Sequence, residues 1–359
     1  MTDGTLLLLG LAGPDLTPEE AALFRRLQPA GYILVPRNLV SPAQTRKLTD
    51  DLRGLSPILP ILAISQEGGC FTPTRDIAPA APSAPPLAVR RDMGKIAQAG
   101  AFTGDLLRLL GINLNLAPVL DLDHFPNNNG RLRGRCWGRD PQRVIDYAGQ
   151  WNRWLRKRSV AGCAKYFPAG GRAADDPSPG FPSCPATLAE LQREDVIPYT
   201  ALMPELDAIM TGHVDFPNVD AEFPASFSPR IIRRFLRDQL GFDRHLVLTD
   251  DLDSEVITRR YGRGEDVKLA IQAGNDLAVI CHRTETAEAA ARALAELPRG
   301  LTNEARERVE RFRCKTIHPP IAWSDKKWND TCAALAKLAE EVPEPTKDRE
   351  SPDSPAHDP

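Results

Sequence analysis

The stretch Leu246-Val247-Leu248-Thr249-Asp250-Asp251-Leu252 is a short apolar run that ends in two adjacent carboxylates. Runs of this length and composition are typical of strands that are buried on both faces in a parallel sheet. In a (β/α)8 barrel the functional residues come from the C-terminal ends of the strands. The stretch therefore predicts a barrel strand that brings Asp250 to the functional face.

Seven further runs of the same kind lie along the chain, each dense in Leu, Ile, Val and Ala. With the stretch above, the predicted strands are residues 5–11, 32–35, 60–65, 112–116, 160–165, 207–211, 246–250 and 276–281. Segments with helical spacing separate them, for example Pro18–Leu27 behind a capping-box pattern, and residues 228–240. Because no Gly-x-Gly-x-x-Gly turn follows the first strand, this α/β alternation favours a closed (β/α)8 TIM-type barrel over a doubly wound sheet.

Composition narrows the possible partners. A chain of 359 residues with 42% hydrophobic content can bury one large core, so a single main domain is expected. A net charge of −3 and the absence of a basic stripe give no footprint for nucleic acid. The apolar residues 6–9 are too short to span a bilayer and lack a positive flank, so neither a membrane partner nor an export signal is expected.

The cysteines indicate a reducing compartment. All seven are scattered, their number is odd, and none forms a C-x-x-C pair. This pattern disfavours a disulfide framework and a zinc site. We therefore expect a cytoplasmic protein without a metal or another cofactor, and a monomer is the favoured oligomeric state.

Two shifts in composition mark segments outside the strands. The Pro-rich stretch 77–86 follows the third predicted strand and is expected to run as a rigid loop across the barrel mouth. Toward the C-terminus, the barrel is predicted to occupy residues 1–300, and residues 301–342 to form a helical extension that packs on it through Trp323 and Trp328. Residues 343–359 are rich in Pro, Glu, Asp and Ser, so they predict a dispensable disordered tail.

A succession of motifs carries a family resemblance. These are Leu16-Thr17-Pro18-Glu19-Glu20, Arg37-Asn38, Gln66-Glu67-Gly68-Gly69, Ala117-Pro118-Val119-Leu120-Asp121, Gly134-Arg135-Cys136-Trp137-Gly138, Lys165-Tyr166-Phe167-Pro168, Met210-Thr211-Gly212-His213, Gly241-Phe242, Thr249-Asp250-Asp251-Leu252 and Ala273-Gly274-Asn275-Asp276. In order and spacing the chain resembles the β-N-acetylhexosaminidases of glycoside hydrolase family 3, over roughly residues 5–300.

The resemblance implies an activity as well as a fold. It implies a cytoplasmic enzyme of peptidoglycan recycling that removes terminal β-linked N-acetylglucosamine with retention of configuration. Retention needs a nucleophile and a group that first protonates the leaving oxygen and then deprotonates water. The family nucleophile falls on Asp250. The alternative for Asp250 or Asp251 is that it simply caps the following helix.

The chain departs from the family at the acid/base. The family uses a His–Asp pair within a pattern like Lys-His-Phe-Pro-Gly-His-Gly-Asp-Thr-x-x-Asp-Ser-His, whereas residues 165–178 contain no histidine. Aligned without gaps, the paired Asp falls on Asp176 and the His on Ser178, whose hydroxyl is too weak an acid for this step. Asp175 or Asp176 could act directly as the acid/base if burial raised its pKa, although the neighbouring Arg172 would act in the opposite direction.

The predicted sugar-binding set is also reduced. The family has Asp, Arg and His where this chain has Ser65, Pro73 and Tyr166, and it retains Arg135 and Lys165. Arg135 and Lys165 are predicted to bind sugar hydroxyls, and Ser65 and Tyr166 are predicted to belong to the same substrate-binding set. The alternatives for Arg135 and Lys165 are a surface arginine and a lysine paired with an acid. Asp121 is also predicted to lie in the mouth, and His213 is predicted to be either a ligand of the sugar or a residue behind the site. Glu67 is predicted to accept hydrogen bonds from loop N–H groups. His282 is predicted to be a packing residue.

Three hypotheses follow from the residues. The first is a retaining glycosidase with an altered substrate or acid/base, in which Asp250 attacks. The second is a non-catalytic relative that serves as a sugar-binding or scaffold protein, because the departures fall on the functional face while the strand motifs are intact. The third, a phosphate-binding barrel, is disfavoured because Gly-rich loops are missing after the seventh and eighth predicted strands.

Overall fold

A computed structural model describes residues 4–125, 132–173 and 180–345. Eight parallel strands close into a barrel in chain order, which confirms the predicted (β/α)8 fold. The strands are β1 (Leu7–Leu9), β2 (Gly31–Ile33), β3 (Ile61–Ile64), β4 (Leu114–Asn115), β5 (Ala161–Phe167), β6 (Ala208–Thr211), β7 (Leu246–Asp251) and β8 (Leu277–Ile280). Each overlaps one of the predicted runs.

The strands are apolar throughout because the barrel buries both of their faces. In β3, for example, all four side chains of Ile61–Ile64 are fully buried. The register shifts between Ala164 and Phe167 on β5, and between Leu248 and Asp251 on β7. Such irregularities redirect side chains and are common next to active sites. Here they lie where the sequence places Lys165 and Asp250.

Helices surround the barrel. They are α1 (Pro18–Leu27), α2 (Pro42–Arg53), α3 (Ala84–Arg90), α4 (Met93–Leu109), α5 (Pro141–Arg156), α6 (Leu188–Arg193), α7 (Ile197–Leu202), α8 (Glu255–Thr258), α9 (Glu265–Ala273), α10 (Ala287–Ala295), α11 (Arg299–Thr316) and α12 (Asp325–Glu341). The capping box predicted for α1 is formed by Thr17 and Glu20. The helix predicted at 228–240 is a π-helix, Arg230–Gln239.

The Pro-rich stretch 77–86 forms a shorter loop than the sequence predicted. Its last residues, from Ala84 onward, begin α3, because proline is well tolerated in the first turn of a helix, where its missing N–H is not needed. The loop between β3 and α3 therefore ends at Ser83.

No helix in the described part of the chain is both long and apolar enough to cross a membrane.

The chain ends with two long helices. α11 packs on α9 and β7, and α12 packs on α4. The rings of Trp323 and Trp328 lie 5.3 Å apart, and Trp328 is buried. Of the segment predicted to be a disordered tail, residues 343–345 are described, and the others lie outside the described residues.

Candidate active site

Most of the residues singled out in the sequence meet at the C-terminal ends of the strands, where they form two groups. We call the group around β3, the loop after β4, and β5 the cationic half; its members are Ser65, Glu67, Arg135, Lys165 and Tyr166. We call the group at the ends of β6, β7 and β8 the acidic half; its members are His213, Asp250, Asp251, Asp253 and His282.

Lys165 is the more deeply buried of the two cations in the cationic half. Its side chain is 2% exposed, and Nζ lies 2.6 Å from Oε1 of Glu67. Nζ also donates a hydrogen bond to the hydroxyl of Ser65 at 2.8 Å. Ser65, at the position where the resemblance implies an acid, therefore contacts the predicted sugar-binding lysine directly.

Arg135 is held from three sides. Its Nε and Nη2 donate to the two carboxylate oxygens of Glu67, at 2.8 and 2.6 Å. Nη2 also donates to the hydroxyl of Tyr166 at 2.7 Å. The ring of Phe71 lies 4.2 Å from the guanidinium carbon, which adds a cation–π contact that the sequence did not predict.

Glu67 has a different role from the one predicted. Its carboxylate accepts hydrogen bonds from Arg135 and Lys165 rather than orienting the loop through backbone N–H groups, because the two buried cations require a counter-charge. Burial alone would raise the pKa of Glu67, but the charges and hydrogen bonds of Arg135 and Lys165 lower the pKa to about 2. Glu67 is therefore ionised at neutral pH.

Asp121 fixes the backbone beside the cationic half. It is 1% exposed and accepts the N–H of Tyr166 at 2.5 Å and that of Gly171 at 2.8 Å. Burial raises the pKa of Asp121 to about 6, although these two hydrogen bonds act in the opposite direction. A Cβ added at Gly212 would approach the Cβ of Tyr166 to 3.2 Å, so glycine leaves room for this tyrosine.

Asp250 lies near the end of β7 in the acidic half. Its Oδ1 accepts the N–H of Asp251 at 2.9 Å. Its second oxygen has no hydrogen-bond partner among the described residues, and the side chain is partly exposed. The carboxylate is thus oriented through one oxygen and available through the other.

Asp251 points to the backbone of β8 and its own loop. Its Oδ1 accepts the N–H of Asp253 at 3.0 Å and that of Cys281 at 3.1 Å. Burial, followed by the charge of Asp253, raises the pKa of Asp251 to about 6. His213 is 3% exposed and bonds the Asp251 carbonyl oxygen through Nε2 at 2.9 Å, which places it behind the strand end.

His282 makes polar contacts that the packing prediction did not include. Arg37 Nη1 lies 2.8 Å from Nδ1 of His282, and because arginine only donates, Nδ1 accepts and Nε2 carries the proton. Nε2 lies 3.5 Å from Oδ2 of Asp251. No local pattern around Arg37-Asn38 predicts this contact, because His282 lies 245 residues away in the sequence.

The two halves lie on the same side of the barrel. The eight strands are parallel and close into one barrel, so the ends of β3 and β5 and the residues after β4 lie on the same side as the ends of β6, β7 and β8. The catalytic and sugar-binding roles of these residues stay predictions.

The predicted acid/base residues Asp175, Asp176 and Ser178 lie outside the described residues. Pro73 begins the short 3-10 helix Pro73–Asp76 after the Gly68–Gly69 turn. A cavity of about 10 Å³, room for about one water, lies between Glu67, Arg135 and Ser83.

One group of side chains in the described part of the chain has the composition of a metal site. Ligand atoms of His124, Glu194 and Asp195 lie within 4.8 Å of one another. Arg172 Nη1 donates to both carboxylates, at 2.9 and 2.6 Å, so a guanidinium already balances their charge. The group is better described as an ion-pair network than as a metal centre.

Comparisons with known proteins show the family of this chain. The family model for the Glycosyl hydrolase family 3 N terminal domain matches residues 8–312. A beta-hexosaminidase of Pseudomonas aeruginosa (strain LESB58) is 32% identical over 330 residues, which cover 92% of this chain and 97% of the relative. A beta-hexosaminidase of Thiobacillus denitrificans is 30% identical over 327 residues, 88% of each chain.

Solved structures show the same architecture. A glycoside hydrolase family 3 beta-N-acetylglucosaminidase from Paenibacillus sp. str. FPU-7 superposes with a TM-score of 0.85 at 28% identity, covering 94% of this chain and 68% of that one. NagZ from Neisseria gonorrhoeae, in complex with N-trifluoroacetyl-D-glucosamine, has a TM-score of 0.81 at 24% identity, covering 95% and 99%. At that identity the second likeness shows the fold alone.

Proposed function

Because the chain belongs to glycosyl hydrolase family 3, we propose that it is a retaining β-N-acetylhexosaminidase-like hydrolase in which Asp250 is the nucleophile. The substrate class is a terminal β-linked N-acetylglucosamine, and the proposed setting is peptidoglycan recycling in the cytoplasm. The observation that carries the proposal is the position of Asp250 at the end of β7, with one oxygen fixed and the other available.

The nucleophilic step makes specific demands on Asp250. The ionised carboxylate attacks the anomeric carbon, the glycosidic bond breaks, and a covalent glycosyl-enzyme forms that water later hydrolyses. The N–H of Asp251 holds Oδ1, so Oδ2 is the attacking atom. His213 supports this arrangement indirectly because it fixes the carbonyl oxygen of Asp251.

The acid/base remains a proposal from the sequence. Asp175 or Asp176 takes this role directly, because the family histidine is replaced by Ser178. A carboxylic acid serves as the acid/base in most glycosidases. Loss of general acid–base help costs about 10²–10⁴-fold in rate, so activity is proposed to be reduced toward unactivated substrates.

A covalent-trapping experiment tests the proposal. The protein is incubated with a fluorinated activated glycoside, and the mass of the intact protein and of its peptides is measured. We expect a glycosyl adduct on the peptide that contains Asp250, no adduct in Asp250→Asn, and an unchanged adduct in Asp243→Asn, which alters an exposed carboxylate before β7. Absence of any adduct on the native protein would reject Asp250 as a working nucleophile.

A second candidate function is a sugar-binding or scaffold protein without turnover. The observation that favours it is that the predicted sugar-binding cations already have protein partners: Glu67 and Tyr166 for Arg135, and Glu67 and Ser65 for Lys165. Calorimetric titration with N-acetylglucosamine separates the candidates. Binding that is equal in the native protein and Asp250→Asn, together with no adduct, identifies the binder.

A further inference from the structure

The end of the chain returns to the loop that follows β3. Helix α12 packs on α4, and Lys95 forms an ion pair with Glu341 in its last turn. Three residues further on, Glu344 Oε1 accepts the backbone N–H of Ser83 at 2.6 Å, and Oε2 accepts the Ser83 hydroxyl at 2.7 Å. Both carboxylate oxygens are thus bound to one residue of the β3–α3 loop.

Ser83 lies directly against the turn that begins with Gly68 and ends with Phe71. The N–H of Gly69 donates to the carbonyl oxygen of Ala81 at 2.8 Å, and Gly68 pairs with Phe71 as an isolated bridge. A Cβ added at Gly69 would lie 2.6 Å from the Cβ of Ser83 and 3.0 Å from Glu344 Oε1. Gly69 therefore packs so closely against Ser83 and Glu344 that no side chain fits at this position.

The same turn holds the cationic half in place. Glu67 precedes it and donates its backbone N–H to the carbonyl oxygen of Phe71 at 3.0 Å. The carboxylate of Glu67 and the ring of Phe71 both contact the guanidinium of Arg135. A continuous line of contacts thus connects Glu344 through Ser83 to the partners of Arg135.

We propose that Glu344 is a positioning residue, whose carboxylate fixes Ser83 and the Gly68–Phe71 turn so that Glu67 and Phe71 hold Arg135 in the barrel mouth. The role of Arg135 in sugar binding rests on the proposed function above, whereas the mechanical connection does not. The sequence predicted that the tail is dispensable from residue 343. Under this proposal the chain is required up to Pro345, which includes Glu344, and only the residues after Pro345 are dispensable.

Two structural readouts test the connection without a sugar. In Glu344→Ala we expect amide hydrogen exchange in residues 66–83 to quicken about tenfold and phenylglyoxal to modify Arg135 severalfold faster. The internal reference is Arg244, an exposed arginine before β7. Glu344→Gln, which keeps one oxygen acceptor, should be intermediate. Glu340→Ala, an exposed glutamate of α12, should match the native protein.

Truncation locates the effect along the chain. A protein that ends at Pro345 should behave as the native protein does, and one that ends at Val342 should behave as Glu344→Ala does. Unchanged exchange and unchanged Arg135 modification in Glu344→Ala would overturn the proposal. Faster exchange with unchanged Arg135 modification would also overturn it, because Glu344 would then anchor the loop alone.

Kinetics complete the test. Glu344→Ala should raise KM for an activated aryl N-acetylglucosaminide three- to tenfold and leave kcat within twofold, because Asp250 belongs to the other half of the mouth. An unchanged KM beside faster Arg135 modification would show that Arg135 does not bind the sugar, which rejects that part of the proposed function. If the native protein neither turns over nor binds the sugar, the proposed function fails and the Arg135 modification still decides the proposal.

Discussion

The two halves of the barrel mouth satisfy their charges in different ways. In the cationic half, Arg135 and Lys165 are paired with the side chain of Glu67. In the acidic half, Asp250 and Asp251 are oriented by backbone N–H groups, and Asp250 keeps one oxygen without a partner among the described residues. The difference teaches that the proposed nucleophile keeps one carboxylate oxygen available, whereas the predicted sugar-binding cations already have protein partners.

The largest expected effect is at Asp250. Asp250→Asn removes the proposed nucleophile and should lower kcat on an activated aryl glycoside by at least about 10³-fold. The free energy of unfolding should change by less than about 0.5 kcal/mol, because the amide oxygen still accepts the Asp251 N–H. Single-turnover kinetics and thermal unfolding measure the two quantities. A variant with full activity would show that the acidic half is not the catalytic half.

The next largest effect concerns the stability of the cationic half. Glu67→Gln leaves two buried cations without a counter-charge and should lower the free energy of unfolding by about 3–5 kcal/mol. The pKa of Glu67 is lowered from 4.5 to about 2, so its contribution is present above pH 4.5 and is lost as the pH falls toward 2. The difference between native protein and variant should therefore shrink over that range in urea titrations. A constant difference would mean that Glu67 is not the counter-charge.

Sequence patterns predicted the barrel well because its requirements are local. Each strand is buried on both faces, so each appears as an apolar run, and acids at strand ends must lie on one face. The pairing within the mouth was not predictable in the same way. Nothing local to Glu67 indicates that Arg135, 68 residues away, will share its carboxylate with Lys165. The contact of Arg37 with His282 also joins distant parts of the chain.

The C-terminal segment shows the same limit. Its composition predicts disorder, because it has few apolar groups to bury. Glu344 nevertheless has two hydrogen bonds to Ser83, 261 residues earlier in the chain. A single charged contact of this kind leaves no trace in composition or periodicity. It depends on where α12 ends relative to the β3–α3 loop.

The proposed loss of the acid/base gives a third prediction. Ser178→His supplies an imidazole near Asp176 and should raise hydrolysis of an unactivated N-acetylglucosaminide by up to about 10²-fold, since general acid–base catalysis is worth about 10²–10⁴. The rate on activated aryl glycosides should change little, because their leaving groups need little protonation. Ser65→Asp in the same protein tests whether a missing sugar contact masks the gain.

Two outcomes would contradict this prediction. Native protein that already hydrolyses unactivated substrate at about 1–10³ s⁻¹ would show that another residue is the acid/base. An equal gain on activated and unactivated substrates would show that the substitution acts on binding rather than on protonation. Either result would contradict the proposal that the chain has lost its general acid/base.

The smallest expected effect is at Tyr166, whose hydroxyl and the sugar are proposed to compete for the same Arg135 donor. Tyr166→Phe removes the hydroxyl that accepts from Arg135 Nη2 and leaves the ring and both Glu67 contacts in place. Loss of this hydrogen bond should cost about 0.5–1.5 kcal/mol of unfolding free energy. It also frees a guanidinium donor, so the Kd for N-acetylglucosamine measured by calorimetry should fall two- to fivefold, about 0.4–1 kcal/mol.

Tyr147→Phe on α5 removes a hydroxyl outside both halves and should leave Kd unchanged. If Tyr166→Phe instead weakens binding of N-acetylglucosamine, the Tyr166 hydroxyl contacts the sugar. The hydroxyl would then bind the substrate rather than occupy the Arg135 donor in its place.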